Sequence, residues 1–143
     1  MIPAGGATRT QPCTATQART RLEHARKFLD VAELSAGEGD DMEYASVAAA
    51  LAVLAGIAAS DAACCAALGR RSRGQAHGQA TELVEQITPE GPRAANALRR
   101  LLSLKDEAHY GLFDVGGQDL QAALRQAKVL VDIAGKVVQR RPA

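Results

Sequence analysis

The chain has 143 residues, of which 47% are apolar but only 3% aromatic, with no Trp and a net charge of +1. This length allows one domain with a substantial core and excludes two. An alanine-rich chain with few rings favours closely packed helices over a β-sandwich, whose core needs β-branched and aromatic side chains, and the net charge by itself excludes no class of partner.

Capping residues and apolar spacing predict helices throughout the chain. Thr14 or Thr16 can cap the first helix, and Asp40 or Asp41 can cap the second. The Pro89–Pro92 loop separates the third helix from the fourth. The predicted helices cover about residues 14–35, 41–69, 75–87, 93–110 and 118–140. Short loops between them predict an all-α, up-and-down four-helix-type bundle with one additional short helix.

The domain organisation follows from the same reading. Residues 1–13 are expected to form a disordered N-terminal lead, and residues 14–140 a single bundle domain. The lead lacks the apolar region of a secretory signal. Residues 44–60 carry no charge and reach only the lower limit for a membrane span, about 17 residues. Because this stretch is mostly alanine and Asp61 follows it, the sequence predicts no membrane contact and a cytoplasmic location.

Each long helix carries a stripe of apolar residues at helical spacing, which predicts its inward face. In the first helix the stripe is Ala18, Leu22, Ala25, Leu29 and Ala32; in the last it is Leu120, Leu124, Ala127, Val131, Ala134 and Val138. In the second it is Tyr44, Val47, Leu51, Leu54, Ala58, Asp61, Cys65 and Leu68; in the fourth it is Leu98, Leu101, Lys105, Ala108 and Leu112. On the second helix Ala52, Gly56 and Ser60, at four-residue intervals, allow close approach of another helix.

Two charges of opposite sign interrupt these stripes, Asp61 and Lys105. A lone buried charge is costly, so each is the natural partner of the other. Such an ion pair is expected to lower the pKa of Asp61 and keep Lys105 charged. It would mark a functional site or simply fix the helix register. His77, also at an inward position, fits a ligand contact or a satisfied core histidine.

The three cysteines, Cys13, Cys64 and Cys65, do not suggest a disulfide framework, and no Cys/His spacing fits a zinc site. Cys65 is expected to be a small buried apolar side chain. The chain contains no phosphate-binding loop, dinucleotide fingerprint, nucleophilic triad or paired carboxylates, so neither a metal nor a cofactor is expected. Acidic residues concentrate between Asp30 and Glu43, and basic residues between Arg70 and Lys105, which suggests a basic surface for phosphates.

The segment from Leu101 to Gly111, LLSLKDEAHYG, resembles the signature of the HEPN superfamily, in which an Arg is followed after four to six residues by His. A long alanine-rich helix, a short helix opening near His77, the motif helix and a closing amphipathic helix are similar to that family's layout. The resemblance covers roughly residues 18–138. Lys105 stands where the family has Arg, Asp106 is its polar neighbour, Tyr110 occupies the expected His position, and His109 comes one place earlier.

The resemblance implies a usually dimeric bundle whose motif helices share a groove, and a metal-free RNase or a nucleotide-binding relative. On this basis the candidate catalytic residues are His109, Lys105 and Tyr110, and the candidate ligand-binding residues are Asp61, His77, Arg100 and Asp106. Lys in place of Arg and Tyr in place of His weaken the case for cleavage, because neutral His is the suitable base at pH 7.

Three functions therefore stay open on the sequence. The first is a catalytically degenerate HEPN-like domain that binds a nucleotide or an RNA phosphate. The second is an active RNase of the toxin or defence kind, with His109 as base and Lys105 stabilising charge on phosphorus. The third is a dimeric interaction module without catalysis. The expected partners are a second copy of the chain, RNA or a nucleotide, and a nucleotidyltransferase-type antitoxin.

Overall fold

The computed structural model describes residues 9–38, 41–73, 77–110 and 117–140, without the side chains of Met42, His77 and residues 105–110. In chain order the elements are β1 (Thr10–Pro12), α1 (Ala15–Ala36), α2 (Met42–Leu68), β2 (Arg70–Ser72), α3 (His77–Glu85), α4 (Gly91–Tyr110) and α5 (Gly117–Arg140). The predicted all-α bundle with one additional short helix is confirmed, with a small two-stranded ribbon added to it.

Helix α1 begins with a capping box. The Thr14 hydroxyl accepts a hydrogen bond from the Gln17 backbone N–H, and the Gln17 side chain accepts one from the Thr14 backbone N–H. These contacts satisfy two backbone donors that the first turn would leave unpaired. The buried residues of α1 are Ala18, Leu22, Ala25, Leu29 and Ala32, which confirms the inward face predicted from spacing.

Helix α2 begins at the cap Asp41, whose carboxylate accepts backbone N–H groups of Glu43 and Tyr44. It ends at Gly69, whose φ of 73° is the left-handed conformation that glycine adopts without a steric penalty. By length and composition Glu43–Leu68 could cross a membrane, but 67% of its most apolar window is buried inside the bundle. That burial is consistent with the core helix of a soluble protein.

The inward face predicted for α2 is wrong over its first half. Tyr44, Val47 and Leu54 are exposed, while the buried residues on this half are small: Ala48, Ala49, Ala52, Val53 and Ala55. Hydrophobicity alone predicts that large apolar residues mark the core, but a face of alanines lets neighbouring helices approach closely and therefore packs inward. Beyond Ala58 the prediction agrees with the structure, since Ala58, Asp61 and Cys65 are buried.

Close packing of α2 is clearest at Gly56. The side chains of Leu101 on α4 and Leu130 on α5 occupy the space that a Cβ at this position would need. A second contact shows the relative direction of α2 and α4. Arg70, just past α2, hydrogen-bonds Gln86, just before α4, so the end of α2 lies beside the start of α4 and the two helices run antiparallel.

Strands β1 and β2 form an antiparallel ribbon in which Gln11 is paired with Arg71. The ladder continues through the Arg73 N–H, which donates to the Arg9 carbonyl at 3.0 Å. Residues 9–13 therefore belong to the folded unit, whereas the sequence predicted a disordered lead up to residue 13. The error arose because strand pairing with a segment about 60 residues away leaves no local sequence signal. Residues 1–8 lie outside the described part of the chain.

The bundle has two distinct ends. The disulfide end, named for a Cys13–Cys65 bond, holds the ribbon, the first turn of α1 and the last turn of α2. The Arg70–Gln86 hydrogen bond places the start of α4 at this same end, and Arg140, which binds Glu90 at 2.6 Å, brings the end of α5 there. The opposite end holds the last turns of α1 and α4 and the first turns of α2 and α5.

The large apolar side chains that the described residues leave exposed all lie on α1 and α2, and we call them the apolar strip. They are Val31, Leu34, Tyr44, Val47 and Leu54, and Leu34 is 73% exposed. The sequence predicts that a flank of the second or of the last helix packs against a second copy of the chain. If the flank of α2 does so, this strip is the surface that the second copy would cover.

We expect Val47→Glu to abolish self-association, because it would place a charge in the apolar strip that a second copy of the chain would cover. Sedimentation-velocity profiles of the parent and the variant over a range of protein concentrations measure the effect. Arg125→Glu, an exposed change on α5 outside the strip, is the control. A parent that sediments as a monomer at every concentration would contradict the dimer prediction.

Candidate functional site

Asp61 is the buried charge of the bundle's described core, at 8% exposure. Its partner is Arg21 on α1, whose Nε and Nη2 both donate to one carboxylate oxygen at 3.2 Å. The prediction that Lys105 is the partner of Asp61 is therefore wrong. Arg21 reaches Asp61 because α1 and α2 are antiparallel and are tied together at Cys13 and Cys65.

Burial raises the pKa of Asp61 above its usual value, even though the neighbouring Arg21 and Arg71 act to lower it. The sequence predicted the opposite direction. The difference has a physical reason: a carboxylate removed from water loses hydration energy, and a guanidinium that is itself one-third exposed replaces only part of it.

The backbone places Lys105 on the far side of the Leu101–Gly56 contact from Asp61. On α2, Asp61 lies five residues beyond Gly56 toward the disulfide end, and on α4 Lys105 lies four residues beyond Leu101 toward the opposite end. At about 1.5 Å of rise per residue the two positions are about 13 Å apart along the bundle axis. The Lys105 side chain lies outside the described residues.

The remaining predicted site residues do not form one cluster. His77 is the first residue of α3, beside the ribbon, and Arg100 is exposed on α4. Asp106, His109 and Tyr110 lie in the last turns of α4, at the opposite end from Asp61. The roles proposed for these residues stay predictions. The structure does not describe the side chains of His77, Asp106, His109 and Tyr110.

Cys13 and Cys65 form a disulfide, with Cα atoms 5.4 Å apart and a sequence separation of 52. The expectation that the cysteines form no disulfide, and that Cys65 is only a small apolar side chain, is wrong. Spacing along the chain gave no indication of this bond, because it depends on β1 returning to the end of α2. A disulfide is unusual in a reducing cytoplasm, so the cytoplasmic location stays a prediction that this bond does not favour.

Cys64 is the free cysteine, and it is buried. Burial raises the pKa of its thiol to about 12, and the nearby Asp61 charge adds to the shift. Thiolates are the reactive form of cysteine, so this side chain is inert in the folded protein.

We expect the native protein to show no thiol that reacts rapidly with iodoacetamide at neutral pH. Denaturation without a reductant should expose Cys64, and denaturation with a reductant should also expose Cys13 and Cys65. Peptide mass spectrometry of the alkylated protein measures this sequence of labelling. Rapid labelling of Cys64 in the native state would contradict its burial.

A cavity of about 290 Å³ opens beside the disulfide. Its walls come from α1, the ribbon and both bridged cysteines, and are formed by Gln11, Pro12, Cys13, Gln17, Arg21, His24, Cys65 and Arg71. Apart from the cysteines, the ionisable side chains on this wall are Arg21, His24 and Arg71. None of them is acidic, so the cavity fits an anion. Sequence reasoning missed Arg21 and His24, and it included Arg71 only as part of the basic segment from Arg70 to Lys105.

A signal for part of this cavity was present in the sequence. Gln17, Arg21 and His24 follow one another at spacings of four and three, which places them on one face of α1 beside its buried stripe. Arg71 could not be found in the same way, because its place depends on the ribbon.

Three arginines on one side of the ribbon, together with Arg21 of α1, form a surface that we call the arginine face: Arg9, Arg21, Arg71 and Arg73. Arg71 and its cross-strand partner Gln11 are joined by a side-chain hydrogen bond of 3.2 Å. Side chains alternate along a strand, so Arg73 and its partner Arg9, two residues further on, point to the same side as this pair. The arginine face therefore lies over the disulfide end.

No model of a known protein family matches this chain, and no curated protein is similar to it in sequence.

Proposed function

We propose that the protein binds the phosphate backbone of RNA through the arginine face. The resemblance to HEPN proteins supports RNA as the ligand. The charge distribution of the described residues supports the arginine face as the surface that binds it. Binding would be largely independent of base sequence, because guanidinium groups that contact phosphates read charge and spacing rather than base edges.

The observation that carries the proposal is the pairing of Arg9 with Arg73 across the ribbon. Like charges directly opposite each other on an antiparallel pair destabilise it. A phosphate between the two guanidinium groups would convert this repulsion into two charge-assisted hydrogen bonds. Arg71 extends the positive surface toward the cavity, where Arg21 is held in place by Asp61.

The charge at the opposite end supports the same assignment. Exposed acidic residues are concentrated at the end of α1 and the start of α2, namely Asp30, Glu33, Glu38, Asp41 and Glu43. These charges would repel a phosphate backbone from that end and orient an approaching RNA toward the arginine face. The proposal therefore moves phosphate binding away from the last turns of α4, where the sequence motif lies.

Titration of a fluorescent single-stranded RNA with the full chain, with EDTA present and at several salt concentrations, tests the proposal. Each phosphate contact on a single strand contributes about 0.7 to the slope of log affinity against log salt. We expect Arg9→Gln/Arg73→Gln to weaken binding at least several-fold and to reduce the slope by about 1.4 for two lost contacts. Arg125→Gln, an exposed arginine at the opposite end, should change neither quantity.

An unchanged affinity and slope in Arg9→Gln/Arg73→Gln would contradict the proposal. RNA cleavage in the same mixtures, lost in His109→Ala, would instead establish the RNase function predicted as the alternative and place the chemistry on α4. The second copy of the chain and the antitoxin-type partner stay predictions from the sequence.

A further inference from the structure

The Cys13–Cys65 disulfide forms part of the wall of the cationic cavity rather than lying in the apolar core. Cys13 is half-buried, whereas Cys65 is only 4% exposed. A small molecule inside the cavity therefore meets the Cys13 sulfur more readily than the Cys65 sulfur. A disulfide that only held the chain together would need no such access.

The cavity wall also selects the charge of what can approach. Arg71 donates its hydrogen bonds to the Ser72 carbonyl and to the Gln11 side chain, so neither contact neutralises its charge. Arg21 also lines the cavity, but its charge is balanced by Asp61, and His24 adds a further basic group. A cavity of about 290 Å³ admits a small molecule but not a folded protein partner.

We propose that this cavity is a binding site for a small thiol carrying a carboxylate, and that this thiol exchanges with the Cys13–Cys65 disulfide. This proposal does not depend on the proposed RNA function, although the cavity shares Arg21 and Arg71 with the arginine face. Arg71 and His24 would hold the carboxylate, which brings the sulfur of the bound thiol to Cys13.

The exchange balances in two steps. The thiolate of the bound molecule attacks Cys13 Sγ, a mixed disulfide forms at Cys13, and Cys65 leaves as a thiolate that takes a proton from water. A second molecule of the thiol attacks the mixed disulfide, which releases the oxidised small-molecule disulfide and leaves Cys13 as a thiol. The two electrons that reduce the protein come from the two small thiols.

The second thiol must come from outside the protein. Cys64 neighbours Cys65 in sequence, but it is buried, and its thiol is almost wholly protonated at neutral pH. It therefore cannot act as an internal resolving cysteine. The oxidation state of the bond would thus follow the supply of the small thiol.

Reduction rates of the full-length oxidised protein with mercaptoacetate and with 2-mercaptoethanol test the proposal. Each rate is divided by the rate of the same thiol with a small uncharged reference disulfide, which corrects for intrinsic nucleophilicity. We expect the corrected rate with mercaptoacetate to exceed that with 2-mercaptoethanol by about tenfold, the lower limit of electrostatic focusing in a charged cleft. High salt should reduce this preference.

Two variants locate the effect. We expect Arg71→Gln to lose most of the preference for mercaptoacetate, measured as the ratio of the two corrected rates within the variant. Arg125→Gln should retain the parent's ratio. If Arg71→Gln does not fold, as judged by circular dichroism, His24→Gln is used in its place. Acid quenching followed by peptide mass spectrometry should find the first adduct on Cys13. Equal corrected rates for the two thiols, or a first adduct on Cys64 or Cys65, would overturn the proposal.

Discussion

We expect the double variant Cys13→Ser/Cys65→Ser to lose roughly 4 kcal/mol of unfolding free energy. The bond closes a loop of 52 residues, so its removal restores much conformational freedom to the unfolded chain. Urea unfolding without a reductant, with the midpoint and slope compared between variant and parent, measures the loss. The parent treated with dithiothreitol should unfold with the same midpoint as the variant.

A matched control separates the cross-link from the substitution itself. Cys64→Ala removes a neighbouring buried sulfur and leaves the disulfide intact, so its loss should be on the order of 1 kcal/mol. A double variant as stable as the oxidised parent would mean that Cys13 and Cys65 are not bonded in solution, and the cavity wall would then need revision.

The second large effect is expected at the Arg21–Asp61 pair. Arg21→Met leaves a buried carboxylate without its partner, and we expect a loss of about 2–3 kcal/mol at neutral pH. This lies below the usual range for a fully buried pair because Arg21 is one-third exposed and water screens part of the interaction. The exposed Arg99–Glu85 pair is the control: Arg99→Met should cost less than about 1 kcal/mol.

The pH dependence of this loss has a defined sign. The pKa of Asp61 is raised on folding, so between its unfolded and folded pKa values the native state binds more protons than the unfolded state. The contribution of Asp61 to stability therefore falls as pH rises through that window. Lowering the pH protonates Asp61 and removes the unpaired charge, so the deficit of Arg21→Met should shrink in the mildly acidic range.

Urea unfolding of parent, Arg21→Met and Arg21→Met/Asp61→Asn at neutral and mildly acidic pH measures this coupling. The double variant should be more stable than Arg21→Met at neutral pH and should show a weaker pH dependence. A deficit in Arg21→Met that is the same at both pH values would show that Asp61 is not the group responsible.

Local patterns in the sequence were sufficient to predict where the helices lie. The capping box at Thr14 and the stripe from Ala18 to Ala32 are both local features, and both are present in the structure. The face of α2 was misread because its alanines, rather than Tyr44, Val47 and Leu54, pack against the neighbouring helices. Spacing identifies which residues share a face, but the closeness of the next helix decides which face is buried.

The candidate site was only partly predictable. Asp61 was correctly identified as a buried charge that needs a partner, but the partner depended on which helices run side by side in which direction. Arg71 and Cys13 reach the cavity through a strand pairing that joins the two ends of a segment of about 60 residues. Such long-range contacts have no periodic signal in the sequence, whereas helix faces do.

Photo-crosslinking distinguishes the two ends of the bundle as RNA-binding surfaces. Single-stranded RNA containing 4-thiouridine is irradiated with the full chain, and the crosslinked peptides are identified by mass spectrometry. If the arginine face holds the phosphates, the adducts should lie within residues 9–24 and 70–73 and should disappear in Arg9→Gln/Arg73→Gln. Adducts confined to residues 98–110 and 117–125, unaffected by that variant, would contradict this account and return the site to the end of α4.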